Sequence, residues 1–236
     1  MNVFFLSDAK LGMISLPEEE SKHCVKVLRM KEGDRFCVSN GKGSLFDAEL
    51  LDANPKKAVA SLYNEYAGYD NKDFVLEIAI APTKSNDRTE WFLEKATEIG
   101  IDTVKLFASC HSERKVANVD RFRKVMIAAL KQSIKSKLPL IEDVVSLETL
   151  VKQPFDGKKY IAYISENVTE QLCDIYKKGD NVLILIGPEG DFSPEEVRVA
   201  MDYGFIPVSL GHARLRTETA ALVACHTVQL INQMKG

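Results

Sequence analysis

The chain has 236 residues, of which 45% are hydrophobic and 28% charged, a composition typical of one large or two small globular domains. Its net charge of −3 does not favour a nucleic-acid partner, and its five scattered cysteines match neither a disulfide framework nor a zinc site, which favours a reducing, cytoplasmic setting. The N-terminus lacks signal-peptide features and the longest apolar stretch, residues 219–231, is too short to span a bilayer, so we expect no membrane association.

The first 68 residues predict a small domain made mostly of β-strands. Four short apolar segments, at residues 3–6, 35–39, 44–51 and 57–63, have the composition of strands, and Asn-Gly-Lys-Gly at 40–43 is a turn sequence. A helix is expected at residues 18–30. Short strands joined by tight turns favour a compact β-barrel.

After a polar linker at residues 66–73, strands and helices alternate. Strands are predicted at 74–80, 103–107, 158–164, 182–186 and 206–210. Asp87 and Glu90 resemble a capping box for a helix that Gly100 ends, and Asp120 is the expected cap of the next helix. Further helices are predicted at 168–177 and 217–234. This alternation indicates an α/β domain.

Charge is unevenly distributed along this second part. Residues 111–139 carry eight Lys and Arg against two acidic residues, whereas residues 140–204 carry six against thirteen. A basic stretch of this kind fits either an RNA-binding surface or an ordinary solvated helix face, and the residues alone leave both open.

Two glycine loops follow the last two predicted strands. The run at 182–186 is apolar without alternation, as expected of a strand covered on both faces. Gly187 begins the first loop, after which Ser193 and Glu196 predict a capping box. Gly211 begins the second loop, after which a threonine within residues 214–219 could cap the last helix. Ligands of α/β sheets bind at such strand ends, so we predict a small-molecule site built mostly from backbone atoms.

Neither loop has the sequence of a phosphate-binding loop. A G-x-G-x-x-G motif is missing, as is a Lys-Ser/Thr pair after Gly190, which excludes the usual nucleotide hydrolases. Glu189 and Asp191 would repel a pyrophosphate and suit a cation better. The four histidines lack metal-ligand spacing, and we expect no metal.

Sequence motifs now point to a family. The segment IGPEG-x-FS-x-E followed by LG-x-x-x-LRTETA resembles the RsmE family, ribosomal RNA uracil-N3 methyltransferases of the SPOUT class that use S-adenosylmethionine. Residues 23–31 resemble that family's H-x-x-x-VLR signature. The resemblance implies a PUA-like RNA-binding β-barrel at 1–68 and a SPOUT α/β domain at 74–236, with a deep trefoil knot at about 182–220. It also implies a cytoplasmic homodimer that acts on 16S ribosomal RNA or the small ribosomal subunit.

The resemblance also assigns residues to roles. Arg216 would stabilise substrate charge, and Glu218 or Glu189 would orient groups or accept a proton, although a local structural role suits either glutamate. Residues expected to contact the methyl donor are Leu185, Ile186, Gly187, Gly190, Leu210, Gly211, Leu215 and Thr217. Residues expected to contact RNA are His23, Lys26, Arg29, Lys31, Arg88, Arg114 and Lys135.

The chain departs from the family motifs at three positions. Asp191 replaces the second glycine of GPEGG, and Arg214 is shifted by one position within LG-x-R. Where the family usually has an arginine soon after Gln-Ser, this chain has Lys135 and Lys137. Lysine keeps the charge there but loses the bidentate geometry of arginine.

Two other functions compete with uracil methylation. One is a SPOUT methyltransferase acting at another RNA position, such as a ribose hydroxyl or a tRNA guanine. The other is an inactive RNA-binding module in ribosome assembly, which predicts a closed donor pocket.

Overall fold

The computed structural model describes residues 2–165 and 167–234, which form two compact units. The first unit contains the described residues up to Asn71 together with Ile127–Leu138. The second contains Lys72–Met126 and the described residues from Pro139 onward.

The first unit is built on a five-stranded sheet with strand order β1-β3-β4-β5-β2. Strand β1 pairs with β3 in parallel, and the other pairs are antiparallel. A buried cluster that includes Phe4, Phe36 and Phe46 forms its core. The elements are β1 (Val3–Phe5), β2 (Gly12–Ser15), α1 (Glu18–Lys22), a π-helical turn (His23–Val27), β3 (Arg35–Ser39), β4 (Ser44–Asp52) and β5 (Val59–Ala67).

Four of these five strands were predicted, and closure into a barrel stays a prediction. The expected helix at 18–30 is instead a short α-helix followed by the π-helical turn, after which Arg29 adopts a left-handed conformation with φ 55°. Strand β2 was missed because three of its four residues are exposed, so it has no apolar alternation to detect. The predicted linker at 66–73 begins inside β5.

The second unit is built on six parallel strands in the order β11-β9-β10-β6-β7-β8. Its elements are β6 (Leu76–Ile80), α2 (Asn86–Ile99), β7 (Thr103–Ala108), α3 (Val119–Ser133), β8 (Leu140–Ser146), α4 (Leu147–Val151), β9 (Lys158–Ala162), α5 (Leu172–Ile175), β10 (Val182–Ile186), α6 (Pro194–Asp202), β11 (Ile206–Val208) and α7 (Thr217–Gln233). The α/β character is therefore confirmed.

Helices cover both faces of the sheet at β10. All five residues of β10 are buried. Leu183 and Leu185 pack in a cluster with residues of α4 and α6, whereas α7 contacts β6 and β10 and also α2 and α5. This arrangement explains the continuous apolar run at 182–186. Within residues 2–165 and 167–234, no helix combines the length and apolar character that crossing a membrane requires.

The second half of α3 and the residues after it, Ile127–Leu138 together, belong to the first unit, where they make polar contacts. Lys131 Nζ lies 2.7 Å from Glu20 Oε1. Ser136 donates its N–H to Asp70 Oδ2 at 3.2 Å, and its carbonyl accepts the N–H of Gly43 at 3.0 Å. The basic stretch alone would suggest that Lys131 is free to contact RNA. In the structure its ammonium group is instead held in an ion pair with Glu20.

Two helix ends were predicted correctly from local chemistry. Ser193 caps α6, where its side chain accepts the Glu196 N–H and the Glu196 side chain accepts the Ser193 N–H, a complete capping box. Gly100 ends α2 with φ 105°, a left-handed conformation that glycine adopts at no steric cost.

Three predicted caps are wrong. Helix α2 begins after Ser85, without a side-chain cap, so Asp87 and Glu90 do not form a capping box. Helix α3 begins at Val119, and the Asn118 side chain rather than Asp120 accepts an N–H of its first turn. Helix α7 begins with Thr217 itself, with Arg216 as the preceding residue and no side-chain cap.

Some element lengths also differ from prediction. Strand β8 was not predicted, because it is mostly exposed and carries two acidic residues. Helix α4, which follows it directly, was not predicted either. Strand β11 ends at Val208 instead of residue 210, and α5 covers four residues of the expected 168–177 helix.

The capping box of α6 allows a direct test of stability. We expect Ser193→Ala to lower the free energy of unfolding by about 1 kcal/mol, because the first turn loses a hydrogen-bond acceptor. Ser85→Ala is the matched control, since Ser85 precedes α2 but its side chain makes no cap hydrogen bond. Urea denaturation of both variants measures the difference. Equal losses in the two variants would contradict the assigned role of the box.

Candidate functional site

The carboxyl ends of β9, β10 and β11 meet at one edge of the parallel sheet. Because β9 pairs with both β10 and β11, the loops that follow the three strands are neighbours. They surround a cavity of about 500 Å³. The lining residues come from the ends of these strands, the three loops and the start of α7. This edge of the sheet is where α/β proteins bind ligands.

The loop after β10 is tightly packed at two glycine positions. A Cβ added to Gly187 would lie 3.0 Å from the Phe192 ring, and one added to Gly190 would lie 3.0 Å from His111 Cβ. His111 also holds the loop, with its Nδ1 3.0 Å from the Asp191 carbonyl oxygen. The glycines therefore fix the course of the backbone along the cavity.

The loop after β11 is shaped by local hydrogen bonds. Gly211 has φ 117°, and an added Cβ there would meet no atom within 4 Å. Its N–H donates to Ser209 Oγ at 3.2 Å, and Ser209 Oγ donates to the Gly211 carbonyl at 3.0 Å. The left-handed conformation turns the chain along the cavity and leaves open space beside it.

A third loop, after β9, lines the cavity and was missed from the sequence. It contributes Tyr163, Ile164, Ser165 and Val168. Backbone hydrogen bonds tie it to the end of β11, because the Ser209 N–H donates to the carbonyl of the same loop's Glu170 at 2.8 Å. The only signal that could have identified it is the order of the strands, which places β9 between the two glycine-loop strands.

Most of the residues expected to contact the donor line this cavity, although their binding role stays a prediction. Leu185 does not line it, because it is fully buried and packs towards α4 and α6. Gly190 does not line it either and faces His111. The predicted donor-contact residues at the cavity are Ile186, Gly187, Leu210, Gly211, Leu215 and Thr217.

Charged side chains stand around the cavity. Arg214 and Arg216 line it and are exposed, and neither forms an ion pair within the part of the chain that the structure describes. Glu189 also lines it, and its Oε1 accepts the Lys84 N–H at 3.0 Å. His212 is exposed on the same lining. The rim can therefore contact a bound molecule with charges of both signs.

Glu218 lies outside the cavity lining, in the first turn of α7. It is only 6% exposed, and its Oε2 has no hydrogen-bond partner. Arg88 Nε lies 3.9 Å from its Oε1. Arg88, expected to contact RNA, is thus paired with Glu218, expected to act in catalysis, where α2 contacts α7.

The residues expected to contact RNA are divided between the two units. Arg88 and Arg114 belong to the second unit, where Arg114 Nη2 donates to the Lys84 carbonyl at 2.7 Å. The other five belong to the first unit, and the four of these near the π-helical turn are exposed. These first-unit residues are His23, Lys26, Arg29, Lys31 and Lys135.

Asp191, where the chain departs from the glycine of the motif, lines the cavity with φ 61°. Its Oδ1 accepts the Phe192 N–H at 2.8 Å. Burial raises the pKa of its carboxyl above the ordinary value. The N–H groups of Phe192 and Ile164 offset part of this rise in pKa, as do the charges of Arg214 and His111.

Comparisons with known proteins agree with this arrangement. Residues 70–229 match the model of an RNA methyltransferase domain, and residues 16–63 match that of an RNA methyltransferase PUA domain. The chain is 28% identical over 228 residues to ribosomal RNA small subunit methyltransferase E of Bacillus subtilis, covering 91% of this chain and 88% of that protein.

Two solved structures have the same fold over nearly the whole chain. A probable rRNA-methyltransferase from Porphyromonas gingivalis is 42% identical, with a TM-score of 0.91 and 98% of both chains covered. The ribosomal RNA small subunit methyltransferase E from Neisseria gonorrhoeae, solved bound to S-adenosylmethionine, is 28% identical, with a TM-score of 0.87 and 98% and 97% covered.

The raised pKa of Asp191 predicts how stability depends on pH. The Asp191 carboxyl holds its proton more tightly in the folded chain than in the unfolded chain. Its contribution to the free energy of unfolding therefore falls as pH rises through its raised pKa. We expect Asp191→Asn to raise the urea midpoint at about pH 7 and to raise it less at about pH 4.5. Asp202→Asn, at an exposed carboxylate on α6, is the control. An Asp191→Asn effect that is the same at both pH values would contradict the shift.

Proposed function

The chain belongs to the family of RNA methyltransferases, and from this premise we propose that it methylates N3 of a specific uracil in 16S ribosomal RNA, with S-adenosylmethionine as donor. The observation that carries the proposal is the cavity formed by the three loops after β9, β10 and β11. The relatives named as small subunit methyltransferase E, and the neighbour solved with the donor bound, support the substrate class and the donor.

The cavity fits a donor of this size and chemistry. Its volume of about 500 Å³ lies within the range of small-molecule sites. Backbone groups of the three loops can bond polar atoms of the donor, while Ile186, Leu210 and Leu215 supply apolar surface for a flat ring. S-adenosylmethionine supplies an electrophilic methyl group on a positively charged sulfur.

The residues of the rim provide what the uracil needs. N3 of uracil must lose its proton, and negative charge then develops on the ring. Arg216, exposed and without an ion pair in the described part of the chain, can stabilise that charge. Glu189, held by the Lys84 N–H, can accept the proton or orient the base.

We assign Glu218 a positioning role rather than contact with substrate. Its burial and its pairing with Arg88 support this assignment, because the pair links the start of α7 to α2. Arg216 immediately precedes α7, so holding this helix end also holds the guanidinium at the rim.

Several finer properties belong to the same proposal. The first unit would bind RNA as a PUA-like barrel, with residues 182–220 knotted and two copies forming a cytoplasmic dimer. The match of residues 16–63 to a PUA domain supports the first of these. The target uracil would be unpaired or flipped, since pairing covers its N3.

The open cavity argues against the inactive assembly module, which predicts a closed pocket. Methylation at another RNA position is the remaining alternative. To distinguish uracil N3 methylation from methylation elsewhere, 16S ribosomal RNA is incubated with the protein and the donor, and the modified nucleotide is mapped. N3 methylation blocks the pairing edge of uracil, whereas ribose methylation does not.

Donor binding tests the cavity directly. We expect saturable, micromolar-range binding of S-adenosylmethionine in calorimetric titration, with loss of at least about tenfold in affinity for Gly211→Trp, because the indole would occupy the open space beside that residue. Gly179→Trp is the matched control: Gly179 also has a positive φ, 88°, and open surroundings, but lies outside the cavity. Unchanged affinity in Gly211→Trp would contradict the assigned site.

Arg216 tests the chemistry separately from binding. We expect Arg216→Met to slow methyl transfer by about 10²–10³-fold while donor affinity changes only a few-fold, because the guanidinium acts on charge that develops in the uracil. Arg198→Met, on the exposed face of α6 where it pairs with Glu195, is the control. A single-turnover assay with radiolabelled donor measures the rate. Equal rates in the two variants would rule out the role given to Arg216.

A further inference from the structure

Asp191 places a carboxylate in the cavity at a position where the backbone is already strained for most side chains. Its Oδ1 would lie 3.4 Å from a Cβ added to Gly187, so the carboxylate lies against the glycine loop. Its φ of 61° is tolerated by Asp, Asn and Gly better than by other residues. The side chain also accepts the Phe192 N–H at 2.8 Å.

The negative charge of Asp191 is not needed for the hydrogen bond from the Phe192 N–H or for the backbone conformation. An asparagine would accept the same N–H and adopt the same backbone conformation. The carboxylate makes no ion pair within the described part of the chain. Arg214 and His111 influence it from the neighbouring loops, yet burial remains the larger effect. The site therefore contains an anion whose charge is only partly compensated within the protein.

We propose that the Asp191 carboxylate makes the cavity prefer the methyl donor, with its positively charged sulfur, over the product S-adenosylhomocysteine, whose sulfur is neutral. This inference rests on the proposed function. Transfer of the methyl group leaves a neutral thioether sulfur, so donor and product differ by one positive charge and one methyl group. An anion in the lining attracts the donor more strongly, and product release becomes easier.

The size of the preference follows from the interaction of two unit charges. At a separation of about 6–8 Å and an effective dielectric constant of about 20–80, one carboxylate favours the charged ligand by about two- to a hundredfold. The charge on Arg214 and the solvent at the rim place the value towards the lower end of this range.

Calorimetric titration with S-adenosylmethionine and with S-adenosylhomocysteine tests the proposal. The measured quantity is the dissociation constant of S-adenosylhomocysteine divided by that of S-adenosylmethionine. We expect this ratio to fall about two- to tenfold in Asp191→Asn, mainly through weaker donor binding. Asp191→Gly should give a similar fall without any strain from a side chain at positive φ. Asp202→Asn removes the same charge from the exposed surface of α6 and should leave the ratio unchanged.

The outcomes separate this inference from the function on which it rests. If the wild type binds both ligands and the ratio is the same in Asp191→Asn, the inference is wrong and the donor site stands. Equal weakening of both ligands would also overturn it, because a purely structural role predicts that result. If the wild type binds neither ligand, the proposed function and this inference both fail.

Discussion

Burial of β10 on both faces is the constraint on which the rest of the second unit depends. A strand whose five residues are all buried needs a layer of helices on each side, and parallel neighbours require crossover connections to provide them. Those connections return every strand in the same direction, so the loops after β9, β10 and β11 end at one edge of the sheet. The cavity is a consequence of this arrangement, because its lining comes from the three loops and the strand ends next to them.

A capping-box sequence predicted the start of α6 correctly but not the start of α2, where other hydrogen bonds compete with the box. Ser193 and Glu196 form the expected capping box because nothing else competes for the first turn of α6. Before α2, by contrast, Thr83 and Thr89 share a buried hydroxyl contact of 2.7 Å. Thr83 also donates to the Ser85 carbonyl, which fixes the entry to α2 without a capping box.

In the candidate site, too, features marked by local sequence were predicted and features set by strand pairing were not. Both glycine loops could be located from sequence, because glycine and a change of periodicity mark a strand end. The loop after β9 could not, since only the pairing of β9 between β10 and β11 brings it to the cavity. Leu185 was assigned to the ligand from the family resemblance, but alternate residues of a strand point to opposite faces, and Leu185 packs against the helices. Side-chain direction at a strand end therefore needs the packing of the whole sheet.

Membership of α3 in both units has a consequence for synthesis of the chain. Domains generally form from the N-terminus while the rest of the protein is still being made. Here the residues up to Asn71 lack the partners that Ile127–Leu138 provides, among them Lys131 for Glu20 and Ser136 for Asp70. The first unit is therefore completed only after Leu138 has left the ribosomal exit tunnel, by which time β6, α2 and β7 of the second unit have also emerged. Maturation of the N-terminal part of the nascent polypeptide is thus delayed by a segment that is encoded far downstream.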